Sequence, residues 1–153
     1  MDFEVFLLNN NGKVNYDDDF IFYNNLKHYS GCVEHLGDCI NYDAYYDDCD
    51  EQISVDLSKV PTNIQEIVFA LTIHEAERKY QNFGCVSHIF LCVMDSSGRK
   101  GFVKHNFPHD YTVETAIILG KFCRKDSGWK FTFSGSGYSG GLIGLCKHFG
   151  VNV

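Results

Sequence analysis

QISVDL, residues 52–57, alternates polar and apolar side chains at every position. Ile53, Val55 and Leu57 share one face of an extended chain, which is the pattern of a half-buried strand. Just downstream, IVFALTI at residues 67–73 has no such polar side. A run that apolar is wrong for a surface strand and predicts a central one, covered on both faces.

The rest of the chain repeats these two patterns in short pieces. Phe3 to Leu8 is apolar and stops at Asn9-Asn10-Asn11-Gly12, a strong hairpin signal. Phe20 to Tyr23 and Gly31 to Leu36 are further short strands. Ser87 to Met94 is another, with a turn at Asp95-Ser96-Ser97-Gly98 and a return over Gly101 to Phe107. Thr115 to Cys123 and Trp129 to Ser134 flank the turn Lys125-Asp126-Ser127-Gly128 and predict a second hairpin. Leu142 to Phe149 places apolar residues at 142, 143, 145, 146 and 149, which is helical spacing, with Gly150 as its stop. Eight or nine short strands and one terminal helix predict a mostly β fold, a two-sheet β-sandwich with a short C-terminal helix. The 153 residues make a single domain, long enough to bury a core without metal or disulfides.

Immediately before QISVDL lies GDCINYDAYYDDCDEQ, residues 37–52. Eight carboxylates fall between Lys27 and Lys59, and no lysine or arginine does: Glu34, Asp38, Asp43, Asp47, Asp48, Asp50, Glu51 and Asp56. The remainder of the chain is close to neutral, so this segment carries the whole net charge of −7. Crowding like charges costs about 1 kcal/mol per close pair even in water. A hard cation with oxygen ligands, of which calcium is the usual one, offsets that repulsion. The competing reading is a solvated acidic loop.

Acidity and the lack of any basic patch argue against nucleic acid. No apolar run approaches the ~20 residues that cross a bilayer, and the Met1-Asp2-Phe3-Glu4 start lacks the basic character of a signal peptide. The seven cysteines are odd in number and show no Cys-x-x-Cys, so neither a complete disulfide framework nor a zinc finger is indicated. Cys92, Cys123 and Cys146 sit among apolar residues as small core side chains. A cytoplasmic location is expected.

Several stretches together resemble one family. They are DFIFYNNLK (19–27), DEQISVDLSKVP (50–61), IVFALTIHEAE (67–77), QNFGCVS (81–87), TVETAIILGKF (112–122), GWKF (128–131) and GYSGGLIGL (137–145). In order and spacing they are similar to the TerD-type tellurium-resistance and stress-protein domain, from about Leu7 to Val151. The resemblance implies a β-sandwich that binds calcium through an acidic loop, without enzymatic activity, in resistance to tellurite and other chemical stress. It also implies partners among other stress-response proteins, and some relatives are described as cyclic-AMP-binding.

The chain departs from the family pattern in two places. The family domain begins with additional N-terminal strands and an Asp-x-Asp pair, of which only Asp2 is matched here. The family loop is glycine-rich, whereas this one carries Cys39 and Cys49 where Asn and Asp are usual, and Tyr42, Tyr45 and Tyr46 in place of small residues. Fewer glycines make it harder to turn backbone carbonyls toward an ion. A cysteine thiolate would shift preference toward softer metals such as zinc.

The resemblance makes Asp38, Asp47, Asp50 and Glu51 the leading metal ligands, with Asp48 replacing the carboxylate missing at Cys49. Asp2, Asn25 and Glu75 are further candidates. Asp17 to Asp19 read as solvated. His74-Glu75-Ala76-Glu77 offers an imidazole beside carboxylates but no nucleophile with an orienting group, so no catalytic residue is assigned. SGSGYSGG at 134–141 is glycine-rich but lacks a following Lys-Ser/Thr and a βαβ setting, which favours a tight passage into the last helix over a phosphate loop.

Overall fold

A computed structural model describes residues 1–38, 49–95 and 103–153. Asp43, Asp47, Asp48, Cys39, the three loop tyrosines and the Ser96 to Gly98 turn lie outside the described residues.

The frame is a five-stranded antiparallel sheet in the order β2-β1-β5-β8-β9. Its strands are β1 (Asp2–Leu8), β2 (Phe20–Ile21), β5 (Glu66–Thr72), β8 (Ala116–Lys125) and β9 (Gly128–Tyr138). Against one face lie two separate hairpins, β3 (Val33–Asp38) with β4 (Glu51–Val55), and β6 (Phe90–Val93) with β7 (Val103–Asn106). A one-turn helix, α1 (Ala76–Lys79), follows β5. The terminal helix, α2 (Gly141–Phe149), covers the other face of the sheet.

This three-layer order explains the two sequence patterns. In β1, Phe3, Val5 and Leu7 enter the core beneath the hairpins, while Phe6 and Leu8 enter the core beneath α2. In β5, Ile67 and Phe69 face one way, and Val68 and Ala70 the other. Both strands are therefore apolar along almost their whole length, and β5 holds the centre of the sheet as its sequence predicts. In β4 only one face is covered. Ile53, Val55 and Leu57 pack on the core, and Ser54 and Asp56 are exposed.

The β-sandwich is correct, with three amendments. Among the described residues its second layer is two hairpins rather than one sheet. The Asn9 to Gly12 turn forms, closed by the Gly12 amide donating to the Asn9 carbonyl with Gly12 at φ 73°. The returning strand is nevertheless delayed to Phe20, because Lys13 to Asp19 is too polar to pair. The glycine-rich stretch from Ser134 continues β9 to Tyr138 before it turns into α2. The helix stops as expected: Gly150 adopts φ 81° and its amide reaches back to the carbonyls of Cys146 and Lys147.

Gly120 in β8 is required for packing. A β-carbon there would lie 2.7 Å from the Phe131 ring and 2.7 Å from the Thr132 carbonyl oxygen. It sits at a register irregularity in the β8–β9 ladder, where the aromatic side chain of one strand lies over the bare backbone of the other.

Candidate functional site

The acidic segment leaves and re-enters the fold at one end of the β3–β4 hairpin. The register runs from Val33 opposite Val55 to Asp38 opposite Glu51, with an irregularity between His35 and Gly37. Gly37 has φ 74°, and its amide donates to His35 Nδ1 at 3.0 Å. The glycine thus supplies the left-handed residue that bends β3, and it aligns Asp38 with Glu51. Carboxylates directly opposite in an antiparallel pair repel.

Glu51 is also tied to the main sheet. One of its carboxylate oxygens accepts the Phe3 amide at 2.7 Å, on a stretch of β1 that the short β2 does not reach. The same oxygen lies 3.7 Å from His35 Nε2. Partial burial raises the Glu51 carboxyl above its ordinary value; the Phe3 and His35 contacts oppose that rise, and nearby Asp2 adds to it.

Asp2 begins β1 opposite Thr72, and its carboxylate lies 3.7 Å from His74 Nδ1. Two residues on, Glu4 is 1% exposed. Its Oε1 accepts the Thr72 hydroxyl at 2.6 Å, while Oε2 has no partner. Burial pushes this carboxyl well above the usual range, with Asp2 and Glu51 adding to the rise and the Thr72 hydrogen bond opposing it. The buried thiol of Cys146, under α2, is raised to about 11, first by burial and then by Glu4.

Asp2 thus raises both the Glu4 and the Glu51 carboxyls, and Asp38 stands across from Glu51. Asp50, exposed, precedes Glu51 on the same rim. Asp47 and Asp48 lie outside the described residues. Among those residues, no three His, Cys, Asp or Glu side chains converge closely enough to hold an ion. The donors at this end are hard carboxylate oxygens, which suit calcium better than a soft metal. Cys49 is disulfide-bonded here and would offer a thiolate only once reduced.

Two candidates lie elsewhere in role. Asn25 donates its amide to the carbonyls of Phe20 (2.7 Å) and Asp18 (3.3 Å), closing the turn after β2. Glu75 adopts φ 53° at the start of α1 and pairs with Arg78 at 3.0 Å. Neither is joined to Asp38, Asp50 or Glu51 by any contact among the described residues.

The expectation that Asp17 to Asp19 are solvated holds for the exposed Asp17 and Asp18 and fails for Asp19. Asp17 accepts the Asn152 amide at 3.0 Å. Asp19 is fully buried: Oδ2 accepts the Asn15 and Tyr16 amides and Oδ1 contacts His28 Nε2 at 2.9 Å. His28 Nδ1 in turn lies 2.7 Å from the Ser30 hydroxyl and 3.6 Å from the Cys32 sulfur. The Ser30 hydroxyl also accepts the Cys32 amide, so this chain of polar groups is spent on holding the turn into β3. Sequence reasoning missed it because partners nine and eleven positions apart share no local period. Glu4 was legible, as one carboxylate inside the apolar run FEVFLL.

Residues 1–149 match the family described as TerD domain. The chain is 48% identical over 140 residues to chemical-damaging agent resistance protein B of Clostridium acetobutylicum, spanning 92% of this chain and 99% of that one. It is 41% identical to general stress protein 16U of Bacillus subtilis (strain 168), over the whole chain and 78% of the relative. It is 39% identical to tellurium resistance protein TerD of Serratia marcescens, over the whole chain and 79% of the relative. The crystal structure of a Streptomyces coelicolor A3(2) homologue of telluride resistance protein superposes with a TM-score of 0.69 at 14% identity, covering 94% of this chain and 82% of that one, which establishes the likeness of fold.

Proposed function

The chain belongs to the TerD domain family, and on that premise we propose that it is a non-enzymatic, cytoplasmic stress-response protein that binds calcium at the Asp38–Glu51 end of the β3–β4 hairpin. Resistance to tellurite or other chemical damage is the role its relatives' names carry over. The observation that supports the cation is the last described rung of that hairpin. Asp38 stands opposite Glu51 there, beside Asp50, and Asp2 from β1 raises the Glu51 carboxyl further. A cation would relieve that repulsion and tie β1, β3 and β4 together. Asp38, Asp50, Glu51 and Asp2 would hold it with carboxylate oxygens, joined by Asp47 and Asp48. Calcium takes six to eight oxygens, so these side chains would be supplemented by backbone carbonyls and water.

The alternative of a cyclic-nucleotide module draws no support from the glycines of the 134–141 stretch. The glycines at 135 and 137 pack against Phe107, Tyr111 and Glu114, leaving no cradle for a phosphate.

Calorimetric titration with calcium after chelator treatment tests the proposal. A ligand of the folded state stabilises it by about 2.7 kcal/mol at a hundredfold excess over Kd. The wild type should show heat and a rise in Tm, and the double variant Asp50→Asn, Glu51→Gln should lose both while keeping its fold. Absence of heat and of any Tm shift at millimolar calcium in the wild type would refute it.

A further inference from the structure

Among the described residues no strand pairing joins the two hairpins of the second layer. Between them lies a cleft of about 1080 Å³, floored by Phe69, Leu71, Leu119, Phe122 and Phe131 of the five-stranded sheet. Its walls are residues 49–58, which include β4, and residues 88–95, which include β6. β3 contributes nothing to the lining, and β7 only Lys104. Because β4 pairs with β3 alone and β6 with β7 alone among the described residues, the strand edges that face each other across the cleft are the unpaired ones. Large apolar side chains beneath, including Leu71, Phe122 and Phe131, are only half-buried.

Among the described residues five strands lie below and four above, the latter in two separate pairs. Neighbouring strands sit ~4.8 Å apart, so one added strand makes the upper layer as wide as the lower. An open pair of edges over an apolar floor is the feature that β-strand addition uses: main-chain hydrogen bonds supply affinity, and alternate side chains fill the floor. The β4 rim carries Asp50, Glu51 and Asp56, against Lys104 on the opposite side, whose amine already lies 4.2 Å over the Phe90 ring.

We propose that this cleft is an acceptor site for an extended segment of a different protein, with apolar residues at alternate positions and lysine or arginine between them, which adds as a strand between β4 and β6. The acidic rim selects against anionic small molecules and acidic peptides. None of the described strands of a second copy supplies the segment, because a strand in the cleft must have both edges free. Every strand among the described residues already has a partner.

The test uses the whole chain in chelator, so that its outcome is independent of calcium. The probe is a synthetic peptide of about seven residues alternating valine with lysine, long enough to span the ladder. Binding is followed by fluorescence anisotropy, and backbone protection by hydrogen exchange. Saturable binding with new protection confined to the amides of β4 and β6 is expected. A peptide N-methylated along one edge, which cannot complete the ladder, should bind about tenfold more weakly or worse, and replacing lysine by glutamate should abolish binding. Equal binding of the N-methylated peptide, protection elsewhere, or no binding at millimolar peptide would each overturn the proposal. Sedimentation showing a dimer whose new protection lies on β4 and β6 without peptide would overturn it in favour of a second copy.

Discussion

Replacing Glu4 by glutamine should make the protein more stable as the pH rises, relative to the wild type. The carboxyl is buried in β1, with one oxygen on the Thr72 hydroxyl and the other unpartnered. Its pKa in the folded protein is raised, chiefly by burial. The unfolded chain releases this proton near pH ~4.3, while the folded protein retains it to higher pH. The folded state then binds more protons than the unfolded one, so stability is complete below the unfolded value and is lost as pH rises toward the folded value. The limiting slope is one proton, about 1.4 kcal/mol per pH unit. Above about pH 5 the wild type therefore loses stability relative to a chain without this carboxyl, by no more than that limiting slope. Glu4→Gln keeps an oxygen for Thr72 and cannot titrate. Urea denaturation of both proteins in chelator across this range, plotted as the difference between them, removes contributions common to both. The difference should grow in favour of the variant as pH rises. A flat difference, or a variant weaker by the same amount at every pH, would refute the reasoning that burial of this carboxyl is an electrostatic liability.

Other outcomes follow from single contacts. Gly120→Ala sets a methyl 2.7 Å from the Thr132 carbonyl oxygen and should cost about 1–3 kcal/mol in chemical denaturation; an unchanged midpoint would show that the ladder yields there. His28→Ala leaves the Asp19 carboxylate buried with only the Asn15 and Tyr16 amides, and should cost about 3 kcal/mol. A loss below about 1 kcal/mol would mean that water replaces the imidazole. A cytoplasmic protein keeps its thiols reduced in the cell, so alkylation of fresh lysates without reductant should label Cys49. Its protection from the reagent would preserve the disulfide found here and refute the cytoplasmic assignment.

The layers of the fold were legible wherever burial repeats at short range. Alternation in QISVDL marked a strand with one covered face, and the unbroken apolarity of IVFALTI marked the central strand. Both readings match the structure because side-chain direction in a strand follows from sequence position alone. Only contacts among distant residues reveal the division of the upper layer into two hairpins. Ile53, Leu91 and Phe131 look the same in sequence whether the sheet above them is closed or open. At the candidate site, the pairing of Asp38 with Glu51 was implicit in a strand, a glycine and a returning strand. The dispersal of Asn25 and Glu75 was not, since each is taken by a local partner, a turn carbonyl or Arg78. Family position identified those residues; local hydrogen bonding shows how they are used here.

Glu51 connects the proposed cation site to the framework, and this decides how it must be tested. Its carboxylate accepts the amide of Phe3, on a part of β1 beyond the reach of β2. An unpaired amide at that place would cost about 1–3 kcal/mol if shielded from water. Truncation to alanine would therefore weaken the junction of hairpin and sheet whether or not calcium binds, and a lost calcium response would be uninformative. Glutamine retains an oxygen for the amide and removes the charge. The same bond offers a route by which an ion could act beyond its ligands. Drawing Glu51 toward a cation shifts the group that anchors the start of β1, next to Asp2 and the buried Glu4. Neutralising Asp2 and Glu51 with a cation would also lower the field that holds the proton on Glu4, since both carboxylates raise its pKa. Calcium binding and the pH dependence of stability are thus linked through the same three carboxylates, and the loss of stability with rising pH should end at lower pH when the ion is present.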